Sequence, residues 1–140
     1  MVRFIPGQLG VVTDSNGTKI YKYLKYDDGT AAVDGVAGEV AYYYTLDGYK
    51  NHVCSSDLSD SVEIGAGVIQ ANIATETYGW FQIKGAATLT IGLTAGADGD
   101  PLTPTGSADG TLDVSSAATD NVCAIAGDIS DKEIICDFPF

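Results

Sequence analysis

An all-β fold, a small single-domain β-barrel or β-sandwich with an extended N-terminal arm, is what this sequence of 140 residues predicts. Three observations predict it. Short runs alternate apolar and polar residues with a period of two, turn signals recur at close spacing, and no window carries a long i, i+3, i+4, i+7 apolar stripe. The composition agrees, because Val, Ile, Thr and Tyr suit a pleated surface and 17 glycines argue against a helical body. A chain of this length buries about 68–70% of its unfolded surface, enough for one core.

Residues 1–17 read as the arm, closed by the turn Asp14-Ser15-Asn16-Gly17, in which Asn-Gly accepts positive φ at low cost. Residues 18–140 form the β domain. Its first strand, 18–26, sets Lys19, Tyr21, Tyr23 and Lys25 on one side and Ile20, Lys22, Leu24 and Tyr26 on the other. Neither side is cleanly apolar, which points to an edge or an interface. Val40 to Thr45 is the next strand, stopped by Asp47-Gly48, and His52-Val53-Cys54 a weaker one. Ser55 to Asp60 reads as a turn or one helical turn, capped by Ser56 or Asp57. Gly67 to Ala71 is a buried strand. Tyr78 to Leu89 is two strands or one strand bent at Gly85, with Phe81 and Ile83 on one face and Trp80, Gln82 and Lys84 on the other. Leu102-Thr103 and Leu112-Asp113-Val114 pair back on each other. A hairpin centred on Asp128-Ile129-Ser130-Asp131 puts Cys123 opposite Cys136 and Ile125 opposite Ile134, with Cys123, Ile125, Ile134, Cys136 and Phe138 on one core face.

The net charge of −12 makes nucleic acid a poor partner, since phosphate contacts need clustered Lys and Arg. The charge is uneven. Residues 1–50 hold five basic and six acidic residues, net −1; residues 51–140 hold two and thirteen, net −11. The first part is the better candidate for contact with a partner. No apolar run approaches the roughly 20 residues that span a bilayer, and the start lacks a signal peptide's apolar stretch. No membrane partner and synthesis in a cytoplasm are therefore expected. Three cysteines leave no complete internal disulfide set; buried free thiols are the simplest reading, with a Cys123–Cys136 bridge open if the two lie directly opposite.

Residues 64–138 resemble the small decoration, or cement, proteins on the heads of tailed bacteriophages. The resemblance lies in an ordered series of parts. Gly67-Val68-Ile69-Gln70-Ala71 leads to the aromatic-Gly-aromatic start Tyr78-Gly79-Trp80. A strand Gln82-Ile83-Lys84-Gly85-Ala86-Ala87 follows, then Ala95-Gly96 to Asp100-Pro101-Leu102, then the Gly110-Thr111-Leu112-Asp113 turn. The closing pair is Val122–Gly127 and Glu133–Phe138. The Tyr42-Tyr43-Tyr44 run and the cysteines have no counterpart in that pattern. The resemblance implies a non-enzymatic virion protein on the outer capsid surface that bridges major capsid subunits, without cofactors, as a homotrimer or a dimer. It also implies an N-terminal arm lying along the shell.

Candidate contact residues follow from both lines. Seven of the eight tyrosines fall at 21, 23, 26, 42, 43, 44 and 49, and tyrosine suits interfaces by joining area to a polar end. Tyr21, Tyr23, Tyr42, Tyr43, Tyr44 and Trp80, with Arg3, Phe4 and Ile5 of the arm, form the expected capsid or subunit contact. Three consecutive tyrosines cannot all face one core. Other chemistries have thinner support. His52 is the only histidine, with Ser55, Ser56 and Asp57 near it in sequence, but no Gly-x-Ser-x-Gly elbow accompanies them. The cysteines lack metal spacing, and Asp98-Gly99-Asp100 and Asp109-Gly110 lack the full calcium-loop pattern. No catalytic, cofactor or metal residue is expected. A glycan-binding fibre or adhesin tip is the alternative, its exposed Tyr and Trp stacking on sugar rings.

Overall fold

Asn16-Gly17 does what its chemistry dictates and starts the fold. A computed structural model describes residues 3–45 and 51–140, and in it β1 (Leu9–Asp14) and β2 (Gly17–Tyr26) form a two-residue hairpin, with the Asn16 N–H on Asp14 Oδ1 at 2.8 Å. Residues 9–14 of the expected arm are thus the outer strand of a hairpin. The Asp47-Gly48 turn, Tyr49 and Lys50 lie outside the described residues.

The remaining strands are β3 (Val40–Tyr44), β4 (Val53–Ser55), β5 (Ser61–Ile69), β6 (Thr77–Thr88), β7 (Pro101–Thr103), β8 (Asp113–Val114), β9 (Ala124–Ala126) and β10 (Glu133–Asp137). Four of them, with β2, close a barrel. β2 pairs antiparallel with β6, β6 with β5, β5 with β3 and β3 with β4, and β4 returns to β2 as a parallel neighbour. β1 extends the sheet beyond β2, and β10, β9, β7 and β8 extend it beyond β6. The fold is all-β, as expected. β2 is no edge: it holds β1 and β4 along one side and β6 along the other. Its mixed face turns inward, Leu24 and Tyr26 into the barrel and Lys22 with them.

Two glycines shape the barrel. Gly67 (φ +146) sits in the bulge where β3 and β5 lose register, so Ala66 and Ile69 face the barrel while Val68 faces away. Gly85 (φ +94) bends β6, which is a single strand. Before the bend β6 pairs with β2 and β5; beyond it β6 pairs with β10. A Cβ at Gly85 would stand 2.7 Å from the Thr18 carbonyl oxygen. The buried Gln82 amide spans the bend, donating to the Lys84 and Ala86 carbonyls at 3.2 and 2.8 Å. Phe81 and Ile83, expected on one face, join different clusters, because the β2–β6 register skips Ile83: Tyr21 faces Gln82 and Ile20 faces Lys84.

Two hydrophobic clusters result. The barrel interior holds Leu24, Tyr26, Ala41, Tyr43, Cys54, Ala66, Ile69, Ile73 and Phe81. A second cluster joins the barrel's outer wall to the β7–β10 layer through Val40, Tyr42, Val68, Ile83, Leu102, Leu112, Ile134 and Phe138. β3 is buried on both faces, and this corrects the interface assignment of Tyr42, Tyr43 and Tyr44, which are 0, 0 and 7% exposed. Tyr42 turns to the second cluster and Tyr43 to the barrel, so period-two alternation holds with a core on each side.

The last hairpin is shifted by one residue from the expected register. Cys136 faces Ala124 and Ile135 faces Ile125, because the connection is a 3₁₀ turn (Ile129–Asp131) followed by Lys132 at φ +58. Ile125 and Ile135 point outward, while Ala124, Ala126, Ile134 and Cys136 point in. Cys123 is buried but not opposite Cys136, and all three cysteines are free. A 3₁₀ turn also spans Leu58–Asp60, capped by Asp57 as expected; β5 begins at Ser61 and ends at Ile69, earlier than read from the sequence.

Candidate binding face

The outward residues of β2 and β6 meet in register. Tyr23 lies opposite Trp80 and Lys25 opposite Tyr78, while Tyr21 lies opposite the buried Gln82. Tyr23 stacks on Tyr78 with centroids 5.7 Å apart and planes at 15°, and tilts against Trp80 at 5.2 Å. The N-terminal segment completes the group. Pro6-Gly7 forms a turn closed by the Gln8 N–H on the Ile5 carbonyl at 2.9 Å, and the Gly7 N–H donates to the Tyr23 carbonyl at 2.7 Å. That turn brings Phe4 edge-on to Trp80 at 5.0 Å and 75°, and to within 5.3 Å of Tyr23. These separations and tilts are those that aromatic quadrupoles favour.

The face is apolar and open. Phe4, Ile5 and Tyr78 are 41, 68 and 45% exposed, and Val12 continues the patch along β1, whereas the exposed Leu9 and Val11, opposite Lys22 and Ile20, turn to the sheet's other face. Gly10 passes so close to Trp80 that a Cβ there would touch the indole at 3.4 Å. A hollow of about 350 Å³ opens beside it, lined by Gly10, Val11, Val12, Tyr21, Gln70 and Trp80. Of the residues expected at a contact, Phe4, Tyr21, Tyr23 and Trp80 share this region, with Ile5 in the turn beside them and Arg3 exposed next to Phe4 in the chain. Tyr42, Tyr43 and Tyr44 do not, for the reason given above. Tyr78 and Val12 of this face are not among the residues the sequence reading names. The signal for Tyr78 was its parity with Trp80; the signal for β1 was the apolar run before Asn-Gly.

Beneath the face lies a buried cation. Lys22 is 2% exposed, and its Nζ donates to the Tyr43 hydroxyl at 2.7 Å. The ammonium sits at the oxygen end of that ring, 5.1 Å from its centroid, so the contact is charge to hydroxyl rather than to the ring face. Burial pushes the Lys22 amine down, and the Cys54 thiol beside it acts in the opposite sense. Burial holds the Cys54 and Cys123 thiols well up and Cys136 at about 12, which keeps them protonated and unreactive.

The other candidate groups hold the backbone. His52 lies beside Lys22, Asn51, Tyr78 and the Pro6-Gly7 turn at a cleft of about 500 Å³. Ser55 Oγ donates to Asp28 at 2.8 Å, and Asp57 Oδ1 accepts from Ser59, so neither points its bonds at His52. Asp98, Asp100 and Asp109 each accept a backbone N–H, from Ile129, Ala97 and Leu58. Among the described residues no group of three or more His, Cys, Asp or Glu is placed to hold a metal ion. The arrangement offers non-covalent adhesion: rigid aromatic rings, an apolar edge strand, and Lys19 and Lys25 facing outward on a chain otherwise acidic.

No family model, no curated protein and no solved structure matches this chain.

Proposed function

We propose that this chain is a structural virion protein of the decoration type, adhering to the outer surface of a phage head and bridging its major capsid subunits. The observation that carries the reading is the Phe4–Tyr23–Tyr78–Trp80 face: an exposed aromatic patch, flanked by the outward Lys19 and Lys25, on a chain of net charge −12. Aromatic anchors ringed by neutral contacts are what binding hot spots consist of. The ordered resemblance of residues 64–138 to decoration proteins supplies the partner class. Attachment of several copies to one lattice raises avidity by roughly 10²–10⁴ where geometry permits, and the acidic remainder keeps particles dispersed.

Co-sedimentation with mature, undecorated capsids tests this. Wild-type protein is expected in the pellet at hundreds of copies per shell. The Phe4→Ala, Trp80→Ala double variant is expected to bind at least about 30-fold more weakly, the loss of two modest hot spots. Wild-type protein left in the supernatant would overturn the proposal. A glycan-binding tip is the second reading, favoured by the hollow that Gln70 and Trp80 both line. Binding to a glycan array, with few copies per particle, would select it instead.

A further inference from the structure

From the geometry of the β1 edge we infer that this chain pairs with a second copy of itself, β1 against β1, antiparallel about a two-fold axis at Val11. In an antiparallel hairpin alternate residue pairs exchange both backbone bonds, and the residues between turn their N–H and C=O outward. The two-residue turn makes Asp14–Gly17 a bonded pair, and Val12–Lys19 and Gly10–Tyr21 follow in phase. The Tyr23 N–H on the Gln8 carbonyl at 2.9 Å continues that phase. Leu9, Val11 and Thr13 therefore present one N–H and one C=O each to the outside. Among the described residues no strand but β2 pairs with β1. The edge from Leu9 to Thr13 carries no charge and no proline, the devices that ordinarily protect an open strand.

What fits this edge is the same edge reversed. Setting Val11 opposite the partner's Val11 places Leu9 opposite the partner's Thr13 and Thr13 opposite the partner's Leu9. This register engages all three outward residues of both copies. It also sets Val12 opposite the partner's Gly10, in the closer, non-bonded kind of pair. Gly10 is where the strand has no side chain and the Trp80 hollow opens, so Val12 of each copy enters the hollow of the other. Knob and hollow lie on one strand, symmetric about Val11, which is the self-complementarity that a two-fold contact requires. On the opposite face Ile20, which pairs with Val11, extends the central pair into a row of four β-branched side chains. The strand is neutral, whereas approach through residues 51–140 brings net −11 against net −11.

A three-fold ring is not available by this route. It needs β1 to meet a different open edge, and the sheet's other end, β8, has two residues. The dimer places both Tyr23–Trp80 clusters on one side of a continuous sheet, whatever that side binds.

Sedimentation velocity over about 1–100 µM, a range that mass action resolves, is expected to report twice the 14.5 kDa chain mass. Val11→Cys is expected to form a covalent dimer on mild oxidation, since bonded antiparallel pairs stand about 5.5 Å apart at Cα and suit a disulfide. The native thiols are buried and do not compete. Val11→Pro removes an outward donor without touching a hairpin bond, and is expected to give a folded monomer whose melting temperature, unlike the wild type's, does not rise with protein concentration. A single-chain mass throughout the range would overturn the inference. So would a Val11→Cys dimer forming no faster than one from the remote, exposed Ala118→Cys, or Val11→Cys bonding to shell protein in place of its own copy.

Discussion

Tyr42 and Lys22 show how single buried polar groups hold this barrel. The Tyr42 hydroxyl donates to the Thr111 carbonyl and accepts the Thr111 N–H, tying the outer layer to β3. Tyr42→Phe leaves both Thr111 groups buried without that partner, and is expected to cost about 1–3 kcal/mol in urea unfolding. Burial raises the Tyr42 phenol to about 12 from 10.0. The unfolded chain then gives up its proton first, so this contribution is intact below pH 10 and is lost as pH rises from 10 toward 12. Wild-type stability should fall across that window, and more steeply than in Tyr42→Phe. Lys22 has the opposite sign. Its lowered value means that the ammonium penalises the fold at neutral pH and that stability recovers as the amine deprotonates below its ordinary 10.5. Lys22→Met should therefore raise the free energy of urea unfolding, by about 1 kcal/mol or more. Tyr43→Phe should destabilise the wild type more than it destabilises Lys22→Met. Equal costs in the two backgrounds would mean that the Nζ–hydroxyl contact contributes nothing.

At the scale of elements, β6 and the last hairpin carry the topology. Gly85→Val places a β-branched residue at φ +94 and drives its Cβ into the Thr18 carbonyl. It should cost more than 2 kcal/mol, in the range of strained backbone positions, and chemical denaturation measures it. The β9–β10 register yields a paired test. Ile134→Ala should lose about 2–5 kcal/mol as a buried truncation, while Ile135→Thr, on the outward row, should stay within about 0.5 kcal/mol. The register with Cys123 opposite Cys136 also buries Ile134 but puts Ile125 inside, so Ile125→Thr, expected to be mild, separates the two. These elements mark how far the sequence was legible. β2, β3, β6 and the β7–β8 pair could be read because glycine and aspartate turns bound them and their alternation is local. The hairpin slipped by one because the left-handed Lys132 adds a residue that no turn motif announces. The Tyr42-Tyr43-Tyr44 strand was misplaced because a layer packs on its outside, a fact of tertiary structure; its unbroken apolar run from Val40 was the available hint. The binding face was half legible. Parity put Tyr21 with Tyr23, and Trp80 opposite Phe81, but only the folded chain turns them to one open face and brings Phe4 and β1 beside them.

The whole molecule is governed by its charge. Net −12 at pH 7 with an isoelectric point near 4.1 means that the native chain repels itself at neutral pH. Two carboxylates report this locally. Burial, and then the neighbouring Asp109 and Asp28, raise Glu39; burial, and then Asp57, Asp28 and Asp109, raise Asp60. For such groups the native state takes up protons before the unfolded chain does, so stability grows as pH falls from neutral through their raised values. Two others oppose this. The Ala117 and Ser116 N–H groups hold Asp120 low, and the Ser130 hydroxyl holds Asp128 low. Their contributions are present above the unfolded 3.8 and are lost as pH falls below it. The two limbs bracket a maximum on the acid side of neutrality, above 3.8. Melting temperature followed by circular dichroism from pH 3 to 8 should therefore peak at mildly acidic pH. Added salt should raise it at pH 7 by screening over the roughly 10 Å Debye length of 0.1 M solutions, and should raise it less at the peak. A midpoint that is highest at neutral pH and indifferent to salt would mean that the acidic surface is spaced widely enough to carry no cost.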